Sequence, residues 1–207
     1  MNIDRNWSNI LINTGFSLMI KKIISGGQTG ADQAALDAAI KLDIPHGGWI
    51  PKGWITENGT LSDKYQLDEM PTSSYVDRTE HNVIDSDGTL IVSHGRLTGG
   101  SSLTRELAME NGKNWLHIDL NKISQFDAAV KINTWMFDKH IETLNVAGPR
   151  ASKDSKIYQA VMDILVSAYY LDLTGDNISD IIQVPLQTVG KIVYQIIDNM
   201  QEWIFTK

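Results

Sequence analysis

The chain has 207 residues, 42% apolar and 21% charged, which excludes disordered and fibrous classes and suggests one globular domain with an appendage. A net charge of −7 argues against a duplex nucleic-acid partner, while leaving room for a local basic pocket. The absence of cysteine excludes disulfides, thiolate metal sites and a cysteine nucleophile, and fits a reducing, cytoplasmic setting.

Met1–Leu18 shows no steady period and reads as an extension upstream of a start at Met19. No segment approaches the roughly 20 apolar residues of a membrane helix. Lys21–Ser25 reads as a short buried strand leading into Gly26-Gly27-Gln28-Thr29-Gly30-Ala31-Asp32. A small-residue stripe (Ala31, Ala34, Ala35, Ala38, Ala39, Leu42) then recurs at helical spacing, so this helix can lie close on a sheet. Ile44–Lys52 and Thr56–Pro71 read as irregular loops. Ser73 or Ser74 can cap a helix to about Ile84, with Tyr75, Val76, Thr79 and Val83 expected inside.

Gly88–Ser93 is the next strand, followed by Gly95–Ser102 and a helix to Asn111 that Gly112 ends. Trp115–Leu120 is a strand, Ser124–His140 a helix, and Thr143–Val146 a strand ending in Ala147-Gly148-Pro149-Arg150. A helix from about Lys153 to Tyr170 carries the stripe Ile157, Ala160, Val161, Ile164, Leu165 and Ala168. The alternation implies βαβ units and a mostly parallel sheet. Beyond Asp172, Leu186–Phe205 reads as an amphipathic helix that either packs on its own domain or makes a subunit contact. The expected division is 1–18, 19–171 and 172–207.

Three strands thus end in glycine-containing loops that open helices: Gly26–Asp32, Gly95–Ser102 and Ala147–Ser152. In a parallel sheet such junctions share the carboxyl edge, where ligands bind. Unpaired N–H groups and the helix dipole favour an anion there. Three such loops point to a phosphate-bearing or oxyanion ligand. The first has the form GGxxGxD, so neither the dinucleotide fingerprint nor the Walker motif is present.

Asp32 could meet a ligand hydroxyl or amine, or simply complement the helix dipole. Arg78, Asn82 and Asp85 share a helix face, as a pocket wall or a solvated surface. Trp49 and Trp54 could stack on a heterocycle or pack their own loop. His46 and His94 fall near the expected pocket, whereas His117 reads as structural. The five histidines show no metal-ligand spacing.

The segments Ile24–Asp37, Pro45–Trp49, Arg78–Val83 with Asp85–Asp87, Leu97–Ser101 and Leu144–Arg150 together resemble the molybdenum carrier family. That family is similar to a circularly permuted YpsA, within the SLOG group of Rossmann-like proteins. The resemblance spans about Met19–Leu171. It implies a three-layer Rossmann-like α/β fold of SLOG type, followed here by a C-terminal helical extension, and a homo-oligomer, a dimer or tetramer.

It further implies binding of the molybdenum cofactor (molybdopterin, a phosphate-bearing pterin with a dithiolene-bound metal oxo group), or of molybdate or another oxyanion. The matching positions are Gly26, Gly27, Gln28, Thr29, Gly30 and Asp32, then Thr98, Gly99, Gly100 and Ser101, then Gly148, Pro149 and Arg150. Arg78 and Asn82 join them as the polar wall. The expected function is a non-catalytic carrier of a small phosphorylated ligand, with no nucleic-acid or membrane partner. The alternatives are a nucleotide-ligand sensor and a phosphoribohydrolase-like enzyme of the SLOG group. The hydrolase would use Glu80 or Glu106 as acid–base, although Thr98–Glu106 matches its PGGxGT loop only loosely.

Overall fold

The computed structural model describes residues 20–173. Met1–Leu18 and the helix expected over Leu186–Phe205 lie outside the described residues. The chain divides into compact units between Asp172 and Leu173, and the architecture below is that of the first.

Its centre is a five-stranded parallel sheet, β1 (Lys22–Ile24), β2 (His46–Gly47), β7 (Gly88–Ser93), β8 (Asn114–Asp119) and β9 (Thr143–Ala147), in the order β2-β1-β9-β7-β8. All six residues of β7 are buried, as a strand covered on both faces requires. Five helices accompany it: α1 (Ala31–Lys41), α2 (Tyr75–Ile84), α3 (Gly99–Glu110), α4 (Gln125–Lys139) and α5 (Ile157–Leu173).

The handedness of parallel crossovers assigns the layers. The steps β1 to β2 and β8 to β9 run in one direction across the sheet, and β7 to β8 in the other. Right-handed connections therefore place α1 and α4 on one face and α3 on the opposite one. α2 packs on α3. α5 joins the first face, where the Tyr158 hydroxyl donates to Asp37 of α1 at 2.7 Å. Every alanine of the α1 stripe is fully buried, so its backbone sits close to the sheet.

The caps match the residue types: the Ser74 and Ser124 hydroxyls accept from the N–H groups of Asp77 and Asp127. α5 begins at Ile157, a few residues later than expected, because Ala151–Lys156 forms turns. Two further expectations need correction. The stretches anticipated as irregular contain β2 and three more two-residue strands, β3 (Trp49–Ile50), β5 (Gly59–Thr60) and β6 (Asp68–Glu69), and a further one, β4 (Ile55–Thr56), straddles the start of the second stretch. Such pairs arise from backbone hydrogen bonds and leave no side-chain alternation to read. The inner side of α2 also differs: Tyr75 and Val76 are 41% and 48% exposed, while Asn82 is buried with Thr79 and Val83. Asn82 turns inward because Trp49 offers its amide carboxamide two backbone partners, accepting from Trp49 N–H at 2.8 Å and donating to Trp49 O at 3.2 Å.

Candidate ligand-binding site

β1, β9 and β7 are neighbours, so their three glycine loops meet at one carboxyl edge. Two of the loops interlock. Ala31 N–H donates to Pro149 O at 3.2 Å, and Ala151 N–H to the Thr29 hydroxyl at 3.3 Å. Gly30 has φ +81°, and a Cβ there would lie 2.5 Å from Pro149 O and 2.7 Å from Ala151 N. At Gly148 a Cβ would meet Ala31 Cβ and Val92 O, each at 2.6 Å. Gly26 makes room for the Arg78 guanidinium, which a Cβ would strike.

Between the loops lies a cavity of about 320 Å³, at the lower end of small-molecule sites. One side is formed by Gln28, Asp32 and Arg78, another by Thr98, Gly99, Gly100 and Ser101 at the start of α3, and a third by Gly148, Pro149 and Arg150. Gly26, Gly27, Thr29, Gly30 and Asn82 are not part of this lining. Thr29 turns its hydroxyl to Glu57, and Asn82 holds Trp49.

The cavity is cationic within an acidic chain. Arg78, Arg96, Arg150 and Lys153 line it, with Asp32 as the sole carboxylate among the described lining residues. The Arg78 side chain is 12% exposed, and its Nε is buried without a hydrogen-bond partner. Its guanidinium stands 3.6 Å from Asp32, an ion-pair distance beyond good hydrogen-bonding range. A buried guanidinium donor left unpaired is costly. The Tyr75 ring lies 5.9 Å from the Arg78 guanidinium carbon and 5.6 Å from that of Arg150. Burial pushes the Asp32 carboxyl upward, outweighing the opposing pull of Arg78, the Gln28 N–H and Arg150.

The helix starts are not equivalent. Around α1, Gln28 N–H donates to Asp32, Thr29 N–H to the Gln28 side chain, and Ala31 N–H to Pro149 O. Ser152 N–H donates to Glu57. At α3, Thr98 makes no side-chain cap, and the Gly99 and Gly100 N–H groups meet no acceptor among the described residues. Both glycines are exposed, with nothing within 4 Å of a built Cβ. The start of α3 therefore leaves two adjacent backbone donors without an acceptor among the described residues.

Of the other candidates, the Trp49 indole donates to Asp85 and contacts His81 edge-on, while Trp54 packs on the Leu36–Ile50 cluster. His46 accepts from Gln66 N–H, and His94 lies 2.6 Å from Asp154. Glu80 accepts from Asn111, Glu106 from Ser102, and neither lines the cavity. His117 contacts the cavity-lining Ser93 at 2.8 Å, and burial lowers its pKa. Tyr75, Arg96 and Lys153 were not singled out in the sequence for this wall. Their proximity to the quoted motifs was the available signal. Glu57 lies outside every motif. Among the described residues, no group of three or more His, Asp or Glu side chains could hold a metal ion.

The family model described as "Circularly permutated YpsA SLOG family" matches residues 23–169. A crystal structure from Syntrophus aciditrophicus, named "Putative molybdenum carrier protein", is 61% identical with a TM-score of 0.71. The match covers 73% of this chain and 95% of that one. No curated protein matches. No helix among the described residues is long and apolar enough to cross a membrane.

Proposed function

The chain belongs to the circularly permuted YpsA SLOG family, and from that premise and the chemistry of the cavity we propose that it binds and carries a small anionic ligand of the molybdenum-cofactor type. In this reading a phosphate or oxo group sits on the free Gly99 and Gly100 N–H groups, with Arg78 and Arg150 supplying charge. The Tyr75 ring stands beside the two guanidinium groups as a flat wall for a heterocycle. A metal in such a ligand would be held through its organic and oxo atoms, not by protein carboxylates or imidazoles.

The observation that carries the proposal is Arg78: a nearly buried guanidinium facing a cavity, with an unpaired Nε and a distant carboxylate. Hydrolysis is the weaker reading, because Glu80 and Glu106 are turned elsewhere and Asp32 is the sole carboxylate among the described lining residues.

Titration calorimetry with molybdopterin, molybdate and inorganic phosphate tests the proposal. Arg78→Ala should weaken binding at least about tenfold, or about 1.4 kcal/mol, with Arg78→Lys intermediate. Equal affinity in wild type and Arg78→Ala would refute it. Steady release of free base from nucleoside monophosphates would instead establish an enzyme.

A further inference from the structure

The β4–β5 hairpin presents Glu57 to two of the cavity loops without itself lining the cavity. Its carboxylate accepts from the Thr29 hydroxyl, which precedes α1, and from both the N–H and hydroxyl of Ser152, which follows β9. Its own N–H donates at 2.9 Å to the Gln28 side-chain oxygen. That oxygen also accepts from Thr29 N–H at 3.0 Å, and Gln28 lines the cavity. Glu57 is exposed, so these contacts add little to the apolar core. They do connect three chain segments at one point.

Arg150 is flanked by tied peptide groups. Pro149 O accepts from Ala31 N–H, and Ala151 N–H donates to the same Thr29 hydroxyl that Glu57 holds. We infer that Glu57 is a positioning residue for the anion site: by pinning Thr29 to Ser152 it holds the Gln28 and Arg150 walls at the spacing a bound anion requires. The inference rests on the proposed binding function. Glu57 touches no ligand in it, acting through the two loops. Without the pin, the Ala147–Ser152 loop keeps its contacts at Gly30 and the Ala151 N–H bond to Thr29 but loses the Ser152 anchor and the group that fixes the Thr29 hydroxyl, so the Arg150 side chain samples more positions and binding carries a larger ordering cost.

Inorganic phosphate is the probe, titrated calorimetrically into the full chain and into Glu57→Ala, Glu57→Gln, Ser152→Ala, the Glu57→Ala/Ser152→Ala double variant and Arg78→Ala. Glu57→Ala should bind about fivefold more weakly, the equivalent of about 1 kcal/mol. Glu57→Gln should recover part of this, because an amide oxygen can still accept from Thr29 and Ser152 N–H. The double variant should bind no more weakly than Glu57→Ala, the coupling expected of groups acting through one contact. Thermal melts on the same samples separate this from loss of folding: a lowered melting temperature with wild-type affinity marks a purely structural contact and overturns the inference. Tighter binding by Glu57→Ala also overturns it, showing that the carboxylate competes with the anion. Binding lost in Arg78→Ala but unchanged in Glu57→Ala removes this inference alone. No phosphate binding by the wild type removes both it and the proposed function.

Discussion

Replacing Gly30 with alanine tests whether the first and third loops interlock as described. Gly30 has φ +81° and ψ −123°, a conformation side chains rarely adopt, which costs about 1–3 kcal/mol. The added methyl would also lie 2.5 Å from Pro149 O, 2.7 Å from Ala151 N and 2.9 Å from Arg150 C. These are backbone atoms and cannot rotate away, so overpacking adds about 1–3 kcal/mol. A domain of this size loses roughly 2–4 °C in melting temperature per kcal/mol, so Gly30→Ala should melt about 5–20 °C lower. The control is Gly59→Ala, where φ is +100° but nothing lies within 4 Å of the new atom. It carries backbone strain without the clash. Thermal unfolding of both variants by circular dichroism should separate them by about 1–3 kcal/mol, the steric contribution. Equal losses would refute the interlock, and with it the claim that Arg150 is placed by contact with the first loop.

Two further variants address charge. Asp32 is pushed up by burial, so the native state holds its proton more tightly than the unfolded chain does. Stability should therefore fall as pH rises from the ordinary carboxylate range to the raised native value, with the penalty persisting above it. Asp32→Asn should melt higher at neutral pH, lose that acid-side dependence, and bind phosphate more tightly because Arg78 is no longer shared. A lower melting temperature with weaker binding would contradict this. Asp37 accepts from Lys64 at 2.6 Å, the Tyr158 hydroxyl at 2.7 Å and the Tyr65 hydroxyl at 3.0 Å. Asp37→Ala leaves one buried phenol, Tyr65, and one half-buried phenol, Tyr158, unpaired and should cost about 2–3 kcal/mol in urea unfolding, with phosphate affinity unchanged.

Much of the architecture is legible in the chain because local patterns carry it. The runs of buried β-branched and leucine residues in Gly88–Ser93, the alanine stripe of α1 and the serine caps each reflect short-range physics, and the strand–helix alternation implies a parallel sheet. The three glycine loops could likewise be named in advance, since glycine at a strand–helix junction has a local steric meaning.

What the tertiary structure decided is which loop is open. In the α1 and β9 loops several donors are taken, the N–H groups of Ala31, Ala151 and Ser152 by Pro149, Thr29 and Glu57, partners up to 122 residues apart that no local pattern links. Gly26 and Gly30 of the first loop leave room for the Arg78 guanidinium and the Pro149 backbone, which no local pattern shows. Arg78 and Asn82 share a helix face in sequence, yet one faces the cavity and the other holds a neighbouring loop. The glycine motifs thus point to the carboxyl edge of the sheet for the anion site proposed above. Its proposed seat at α3 rests on long-range hydrogen-bond satisfaction, which is settled only when distant segments meet.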